Sequence, residues 1–367
     1  MSAPLVAEIL GDMNSGGVES VVTGLLTAMD ARKLRFRVFL HEGSAFPQRE
    51  ALEKAGIPYT FIPKYTHAAA YVKALEDAFR ADPPAIVHSH LSTMAFLSLY
   101  AAKRTGVPVR VLHNHSTAHA GEGKKTVLKN LLRPVARHFA THWFACGDAA
   151  ARWMYGDRAV DAGKVTVLPN AVDAERFAFD KEKRKDFRAA LGIPDGTFVV
   201  GHIGRFCYQK NHERLLTVFS EVLKQRPDSV LLLIGEGERF EDIRRMAETL
   251  PSGDRIRFPG VLRDTSAAYS AFDAFVLPSW YEGLPVVGVE AQFNGVPCVF
   301  SSNVTAEIAM NGNAVRLPLD APDALWAEKI LSLGRTSPAP ALAPYDVRVQ
   351  AANLRGFYLH NIPEDTR

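Results

Sequence analysis

Four charged side chains stand beside glycines in patterns that suit a ligand bearing phosphates and hydroxyls. In Gly201-His202-Ile203-Gly204-Arg205-Phe206 an arginine follows an apolar run, and Lys210 comes five residues after it, ahead of a helical pattern that begins near Glu213. Two cations and a helix N-terminus make a diphosphate site, with Arg offering a planar fork and Lys a point charge. Two solvated surface cations would be the plainer account; the glycines and the strand-end position favour the anion site. Downstream, Glu282-Gly283-Leu284-Pro285-Val286-Val287-Gly288-Val289-Glu290 follows an apolar run that closes on Leu277-Pro278-Ser279. With a helix opening near Pro285, Glu282 precedes its N-terminus and Glu290 lies more than one turn inside. The two carboxylates then reach two parts of one ligand, and each can accept two or more hydrogen bonds from hydroxyls. Taken singly, Glu290 reads as a helix-surface residue and Glu282 as a charge favouring the helix dipole. Neither account explains the glycine and proline packed between them.

Near the start, Asn14-Ser15-Gly16-Gly17-Val18-Glu19 joins a first apolar run to a helical one. Gly16 and Gly17 let backbone approach a ligand closely where helix N–H groups face an anion, or they simply make a tight turn. The later Gly235-Glu236-Gly237 has two of the three glycines of a dinucleotide fingerprint, and its acids would repel a pyrophosphate. No nicotinamide, flavin or other cofactor is expected. No Asp-x-Asp pair sits at a strand end to hold a metal, so the two cations are expected to replace it.

Placing these groups requires strands whose ends carry them. Short apolar runs alternate with longer amphipathic ones, the pattern of βαβ units and parallel sheets. Strands are predicted at Leu5–Leu10, Phe36–Leu40, Tyr59–Ile62, Ala85–His88, Val109–Leu112, His142–Ala145 and Val165–Leu168, with helices over Val18–Met29, Ala68–Ala81, Thr93–Thr105 and Thr126–Phe139. A second series runs Phe198–Ile203, Val230–Ile234, Ile256–Phe258, Ala274–Val276 and Pro297–Phe300. Helical patterns lie between them at Glu213–Gln225, Phe240–Leu250, Thr265–Ala271 and Pro285–Phe293. Gly334–Pro344 reads as a Pro/Ala-rich loop before a last helix near Val347–Leu359. The expected architecture is α/β, with two Rossmann-like doubly wound halves. The first covers 1–169, with 347–367 returning to it, and the second covers 170–346. Ligands of such sheets sit beyond the carboxyl ends of the strands.

The composition agrees with two globular cores: 367 residues, 47% hydrophobic and 23% charged, which excludes a disordered or fibrous chain. A net charge of +3 is weakly basic and does not suggest a nucleic-acid partner, which would need positive charge concentrated on one face or groove. The three scattered cysteines, Cys146, Cys207 and Cys298, read as reduced and buried. The N-terminus lacks a signal-peptide pattern and no run reaches a membrane-spanning length, so a soluble cytoplasmic protein is expected.

Together, the Gly-Gly-x-Glu start, Gly-Arg-Phe with Lys210, the EGLPVVGVE stretch and the junction-like VLPNAVDAERF at 167–177 resemble glycosyltransferase family 4. The junction carries Ala171 where the family commonly has glycine. His88-Ser89-His90 and His113-Asn114-His115-Ser116 resemble the branch that builds bacterial exopolysaccharide, capsule or lipopolysaccharide. The resemblance implies a retaining transferase of the GT-B fold, with two domains facing a central cleft, an acceptor-binding N-terminal half and a donor-binding C-terminal half. It implies that Gly16 and Gly17 lie by the donor phosphates and that Arg205 and Lys210 neutralise the leaving nucleoside diphosphate. Glu290 would hold the ribose, and Glu282 the transferred sugar, with the backbone of Gly283, Leu284 and Pro285 nearby. The base would rest against the strand end Phe258–Val261. His115 would be the cleft histidine near the reacting carbon, with His113 its rival. UDP is the default nucleotide because it is the family's commonest.

Between Glu122 and His142, Lys124, Lys125, Lys129, Arg133 and Arg137 interleave with Val127, Leu128, Leu131, Leu132, Val135 and Phe139. Such a stretch can lie on anionic lipid at the inner membrane face; the plainer expectation is a helix with its apolar stripe on the sheet. A glycan or lipid-linked glycan acceptor follows from the family branch. The rival readings are a nucleotide-sugar epimerase of the same fold, a glycogen-type phosphorylase and a non-catalytic sugar-nucleotide-binding protein. The intact charged set favours an active transferase.

Overall fold

Thirteen strands are formed among the residues described by the structure, a computed structural model covering 3–12, 17–115 and 124–363, with the side chains of 124–126 outside the description. They are β1 (Leu5–Ile9), β2 (Arg35–His41), β3 (Tyr59–Ile62), β4 (Ile86–Ser89), β5 (Val109–Asn114), β6 (His142–Ala145), β7 (Val165–Val167), β8 (Phe198–Ile203), β9 (Ser229–Ile234), β10 (Ile256–Gly260), β11 (Ala274–Leu277), β12 (Cys298–Ser301) and β13 (Ala314–Leu317). The first seven form one parallel sheet in the order β3-β2-β1-β4-β5-β6-β7, and the last six a second in the order β10-β9-β8-β11-β12-β13. Each order reverses direction once, between β1 and β4 and between β8 and β11. Neighbouring loops diverge there and leave a crevice, the usual ligand position of doubly wound sheets.

The chain divides into two compact units. One is Met1–Ala171 with Val347–Arg367, and the other is Val172–Asp346. In the second unit the sheet is covered on both faces. Val199 and Ile203 of β8, Val230, Leu232 and Ile234 of β9, and Phe275 and Leu277 of β11 enter one core. Their alternates Phe198, Val200, Leu231, Leu233, Ala274 and Val276 enter the other. Successive strand side chains point to opposite faces, so a sheet buried on both sides needs uninterrupted apolar runs. The continuous runs in the sequence have this cause.

Some elements were not expected from the sequence, among them a helix with almost no apolar residues. Helix Lys181–Ala190 reads KEKRKDFRAA, yet it is capped by Asp180, whose Oδ1 accepts from the backbone N–H groups of Glu182 and Lys183 at 2.9 and 3.1 Å. Helices Arg49–Lys54, Asp148–Tyr155 and Asp323–Ser332, together with β13, also went unpredicted. The Pro-rich stretch holds a 3-10 turn, Pro340–Tyr345. Cys207 is partly exposed rather than buried, because it lies in the loop beyond β8; Cys146 and Cys298 are buried as expected, and all three are free thiols.

Arg188, 1% exposed, anchors the polar helix Lys181–Ala190. It donates to the carbonyls of Ala271 at 2.7 Å and Thr197 at 2.9 Å and to Asp273 Oδ2 at 2.7 Å. Asp273 also accepts from Arg184 at 2.6 Å and from Val199 N at 2.8 Å. Removing one partner strands a buried charge, which costs about 3–5 kcal/mol. Asp273→Ala should therefore lower stability in urea by about that amount. A change below about 1 kcal/mol would show that water replaces the carboxylate.

Candidate functional site

In the unit spanning 172–346, the loops after β8 and β11 meet at the switch point. The loop after β8 is pinned to the loop after β9: Gly204 N donates to Ile234 O at 3.0 Å, Phe206 N to Glu236 O at 2.8 Å, and Arg239 N to Phe206 O at 3.0 Å. Gly235 and Gly237 take φ of +140° and +155°, and a Cβ on either would overlap the backbone of Gly204 or Phe206. The Gly-Glu-Gly of the sequence is thus a scaffold for the Gly-Arg-Phe loop.

Lys210 closes the 3-10 turn Tyr208–Lys210, and Asn211 follows in the left-handed region at φ 55°. This turn is laced to the β11 loop. Asn211 Nδ2 donates to Pro278 O at 3.1 Å, Trp280 N to Gln209 O at 2.8 Å, and Gln209 Nε2 to Tyr281 O at 2.9 Å. Asparagine tolerates the left-handed conformation better than most residues, so the bonds hold a mildly strained corner in place. The result places Lys210 Nζ 2.6 Å from Glu282 Oε1, which also accepts from Ser279 Oγ at 3.2 Å. Lys210 and Glu282, expected to meet different parts of a ligand, meet each other. Both are largely shielded, at 14% and 11% side-chain exposure. Arg205 is out in solvent, paired with Glu238 at 2.9 Å.

The helix after Glu282 runs Val286–Phe293, preceded by Pro285. Leu284 and Pro285 are buried, and Gly283 is partly exposed. Glu290 is partly buried inside the helix and accepts from the Tyr269 hydroxyl at 2.7 Å. Burial pushes its pKa up to about 7, against the lowering pulls of the Tyr269 hydroxyl and Arg176, while Asp264 adds to the rise. Arg176 and Asp264 are themselves paired at 3.1 Å. At the end of β10, the Phe258 ring packs against Phe206 and Phe240, at centroid distances of 6.2 and 5.7 Å, which leaves Val261 as the exposed apolar side chain.

In the other unit, Gly17 is the exposed first residue of helix Gly17–Ala28; Gly16 lies outside the described residues. His115 follows β5 and is partly buried. Its Nε2 is 2.9 Å from His90 Nδ1, and His90 Nε2 is 2.9 Å from Glu8 Oε2. The other oxygen, Oε1, is 2.7 Å from the Tyr358 hydroxyl. That hydroxyl is 2.5 Å from His88 Nδ1, and His88 Nε2 is 3.2 Å from His113 Nδ1. His113, the rival for the cleft role, is 1% exposed, whereas His115 reaches the surface. Burial, then the neighbouring His90, pushes the His115 pKa down to about 3; His88 and His113 lie well below the usual histidine value for the same leading cause. These shifts keep the rings of His88, His113 and His115 neutral at pH 7.

Among the described residues, His88, His90 and His113 also bring ring nitrogens within 4.8 Å of one another, a spacing open to a metal. Five of their six nitrogens, however, already have hydrogen-bond partners, and His113 Nε2 alone has none. Sequence reasoning missed Glu8, Tyr358 and Tyr269. A lone carboxylate in the apolar strand Leu5–Ile9 was the available signal for Glu8. Neither tyrosine stands in a recognisable pattern.

The basic helix Lys124–Phe139 departs from the plainer expectation. Val127, Leu128 and Leu131 are 55–66% exposed, rather than packed on the sheet. The inward contacts are made by Ala136 and Phe139, which pack on the core, and by Arg133 and Arg137, which donate to the carbonyls of Trp153 and Tyr155. No described helix is long and apolar enough to cross a membrane.

Residues 15–176 match the family model Glycosyltransferase Family 4, and residues 183–333 match Glycosyl transferases group 1. EpsF of Bacillus subtilis, a relative named as a glycosyltransferase, is 32% identical over 331 residues, 89% of this chain and 86% of its own length. An Escherichia coli UDP-Gal:α-D-GlcNAc-diphosphoundecaprenol α-1,3-galactosyltransferase is 31% identical over 62% of this chain and 58% of its own length. Among solved structures, HepE of Anabaena, crystallised with UDP-glucose, superposes with a TM-score of 0.80 at 19% identity, over 97% of this chain and 99% of its own. The motifs occur in the family's order on two doubly wound parallel sheets, and the long match to EpsF spans both. The chain therefore belongs to glycosyltransferase family 4, as a GT-B glycosyltransferase of the exopolysaccharide type.

Proposed function

We propose that this glycosyltransferase moves a sugar, with retention of configuration, from a nucleotide sugar to a glycan or lipid-linked glycan acceptor during cell-surface polysaccharide synthesis. The donor is taken as UDP-linked. The observation that carries the reading is the pair of carboxylates at one switch point: Glu282 held by Lys210 at 2.6 Å, and Glu290, inside the helix that follows, held by Tyr269 at 2.7 Å. The UDP-Gal donor and diphosphoundecaprenol acceptor in the name of the E. coli relative, and the UDP-glucose bound by HepE, support the substrate class.

Departure of a nucleoside diphosphate gathers negative charge on its phosphate oxygens. Lys210 is held in place by Glu282 before any donor arrives, so little reorganisation is needed to present its ammonium. Arg205 sits in an exposed pair of the weak kind and can exchange Glu238 for phosphate. With Lys210 turned to the diphosphate, Glu282 is free to accept from hydroxyls of the transferred sugar. Glu290 accepts from the ribose, and the backbone at 283–285 lines the phosphates and sugar. Val261 is the accessible apolar side chain against which the base would rest. His115, neutral, offers a hydrogen bond near the reacting carbon. No divalent ion is assigned a role in this scheme.

Incubation with a panel of nucleotide sugars, following nucleoside diphosphate release with and without acceptor, tests the reading. Release that depends on acceptor and survives excess chelator is expected. Interconversion of the free donor would mark an epimerase, and loss of nearly all turnover on chelation would overturn the metal-free scheme. Removing the charge of Arg205 or Lys210 should slow transfer about tenfold to a hundredfold, the equivalent of roughly 1.5–3 kcal/mol for a charge-assisted bond.

The two glutamates should separate. Glu290→Gln should weaken nucleoside diphosphate binding, whereas Glu282→Gln should spare that binding and reduce transfer. Glu290 accepts from ribose hydroxyls best when ionised, so affinity for the intact nucleotide sugar, whose diphosphate does not titrate near neutrality, should rise as pH rises through about 7. The dependence should vanish in Glu290→Gln. For stability the sign is opposite. A carboxyl whose folded pKa is raised from 4.5 contributes fully below about 4.5, and that contribution is lost as pH rises through about 7. Calorimetry showing wild-type nucleotide binding in both variants would remove the ribose role.

The outward apolar face of helix Lys124–Phe139, carrying Val127, Leu128 and Leu131, supports peripheral contact with an anionic membrane surface. Leu131→Asp should reduce co-sedimentation with vesicles containing anionic lipid several-fold while leaving transfer to a water-soluble acceptor unchanged. Equal sedimentation of both proteins would count against the contact.

A further inference from the structure

Glu8, 1% exposed inside an otherwise apolar strand, lies at the middle of a chain of hydrogen bonds that ends on His115 in one direction and on His113 in the other. A carboxylate only accepts, and a neutral imidazole donates from one nitrogen and accepts at the other. With Glu8 taken as the carboxylate and all four rings as neutral, these rules leave one proton arrangement that satisfies the chain. Glu8 Oε2 accepts from His90 Nε2–H, so His90 Nδ1 is a lone pair and must be met by His115 Nε2–H. Glu8 Oε1 accepts from the Tyr358 hydroxyl, whose oxygen accepts from His88 Nδ1–H, and His88 Nε2 accepts from His113 Nδ1–H. The chain ends on His113 Nε2 as a bare lone pair, the one ring nitrogen here without a partner. An unmet lone pair costs less than a buried orphan N–H.

We infer that Glu8 is a positioning residue for the transferase reaction: acting through His90, it fixes the tautomer and ring orientation of His115, so that His115 presents Nδ1 as an acceptor. That nitrogen lies 3.3 Å from Asn170 Oδ1, so the relay requires the side-chain amide turned about to present its NH2 group to the ring. A sugar hydroxyl taking the place of the amide would donate to it. The inference rests on the reading of His115 as the histidine near the reacting carbon. The ring positions support the relay independently. Glu8 and His88 are register partners on β1 and β4. The 88/90 and 113/115 pairs repeat with the two-residue period of a strand, stacking four imidazoles in one layer with centroids 4.0–5.2 Å apart.

Glu8→Gln makes the test sharp. If the carbonyl of the substituted amide faced His90, its NH2 would push the Tyr358 proton onto His88 and leave an orphan N–H on buried His113. The alternative turns the NH2 to His90, reverses that arm and gives His115 as the Nδ1–H form donating to Asn170. Full-length protein labelled with 15N-histidine, with His115 assigned by difference against His115→Gln, reads ring tautomers directly through long-range 1H–15N correlations. Wild type should show His115 as Nε2–H, and Glu8→Gln as Nδ1–H, with kcat reduced roughly tenfold to a hundredfold, as for other outer-shell partners, and UDP affinity unchanged. Tyr358→Phe cuts only the other arm, so His115 should keep its wild-type tautomer there. Nδ1–H in wild type, the same tautomer in wild type and Glu8→Gln, or a switch in Tyr358→Phe would each overturn the inference. Should Glu8→Gln fail to fold, the wild-type and Tyr358→Phe spectra still decide it. A wild-type protein inactive on every nucleotide sugar would sink the transferase reading, while the ring signals judged Glu8 separately.

Discussion

A parallel sheet covered by helices on both faces leaves polar chemistry only one economical place, the ends of its strands. Within β8, β9 and β11 every residue is buried and the backbone is consumed by the ladder. A charge placed there would lose its water without gaining a partner. At the strand ends the backbone turns, glycines allow close approach, and the following helix presents unsatisfied N–H groups. Lys210 and Glu282 lie in turns and loops just beyond such ends and Glu290 just past the first turn of the helix that follows, and the order of the strands brings the loops after β8 and β11 together.

Within that constraint the two units handle polar groups in opposite ways. The unit of 172–346 keeps a full ion pair, shielded but not sealed, between Lys210 and Glu282. A pair of that kind gains little net stability after desolvation, but it holds two side chains extended with their partners exchangeable. The other unit holds Glu8 fully buried, with one oxygen 2.9 Å from His90 Nε2 and the other 2.7 Å from the Tyr358 hydroxyl. Four imidazoles lie along the chain of contacts that passes through this one carboxylate, and a proton arrangement exists that leaves a single lone pair unmet. Removing any member would cost more than its own bond, since the orientation of each ring depends on the next.

Tyr358 belongs to helix Val347–Asn361, which rejoins the first unit after the chain has built the second. The same helix is tied to the start of the chain through Arg355, which donates to Asp30 O at 2.7 Å. The helix that completes the first unit therefore also completes the histidine network, and the residues involved, Glu8 and Tyr358, stand 350 positions apart in the chain.

The sequence alone determined the α/β class, the two doubly wound halves and the strands that carry the charged groups, because burial on both faces forces apolar runs that can be read directly. It also placed Arg205, Lys210, Glu282 and Glu290 at strand ends, since their spacing from those runs is local. Elements stabilised by capping and long-range bonds stayed hidden. Helix Lys181–Ala190 depends on Arg188 reaching Asp273, and no local pattern announces that contact. Only the tertiary structure decided that Lys210 and Glu282 hold each other, that Gly235 and Gly237 buttress the Gly-Arg-Phe loop, and that His115 is reached by Glu8 through His90. Partner choice among polar groups depends on which strand ends and which returning helix meet in space, and spacing along the chain carries no record of that.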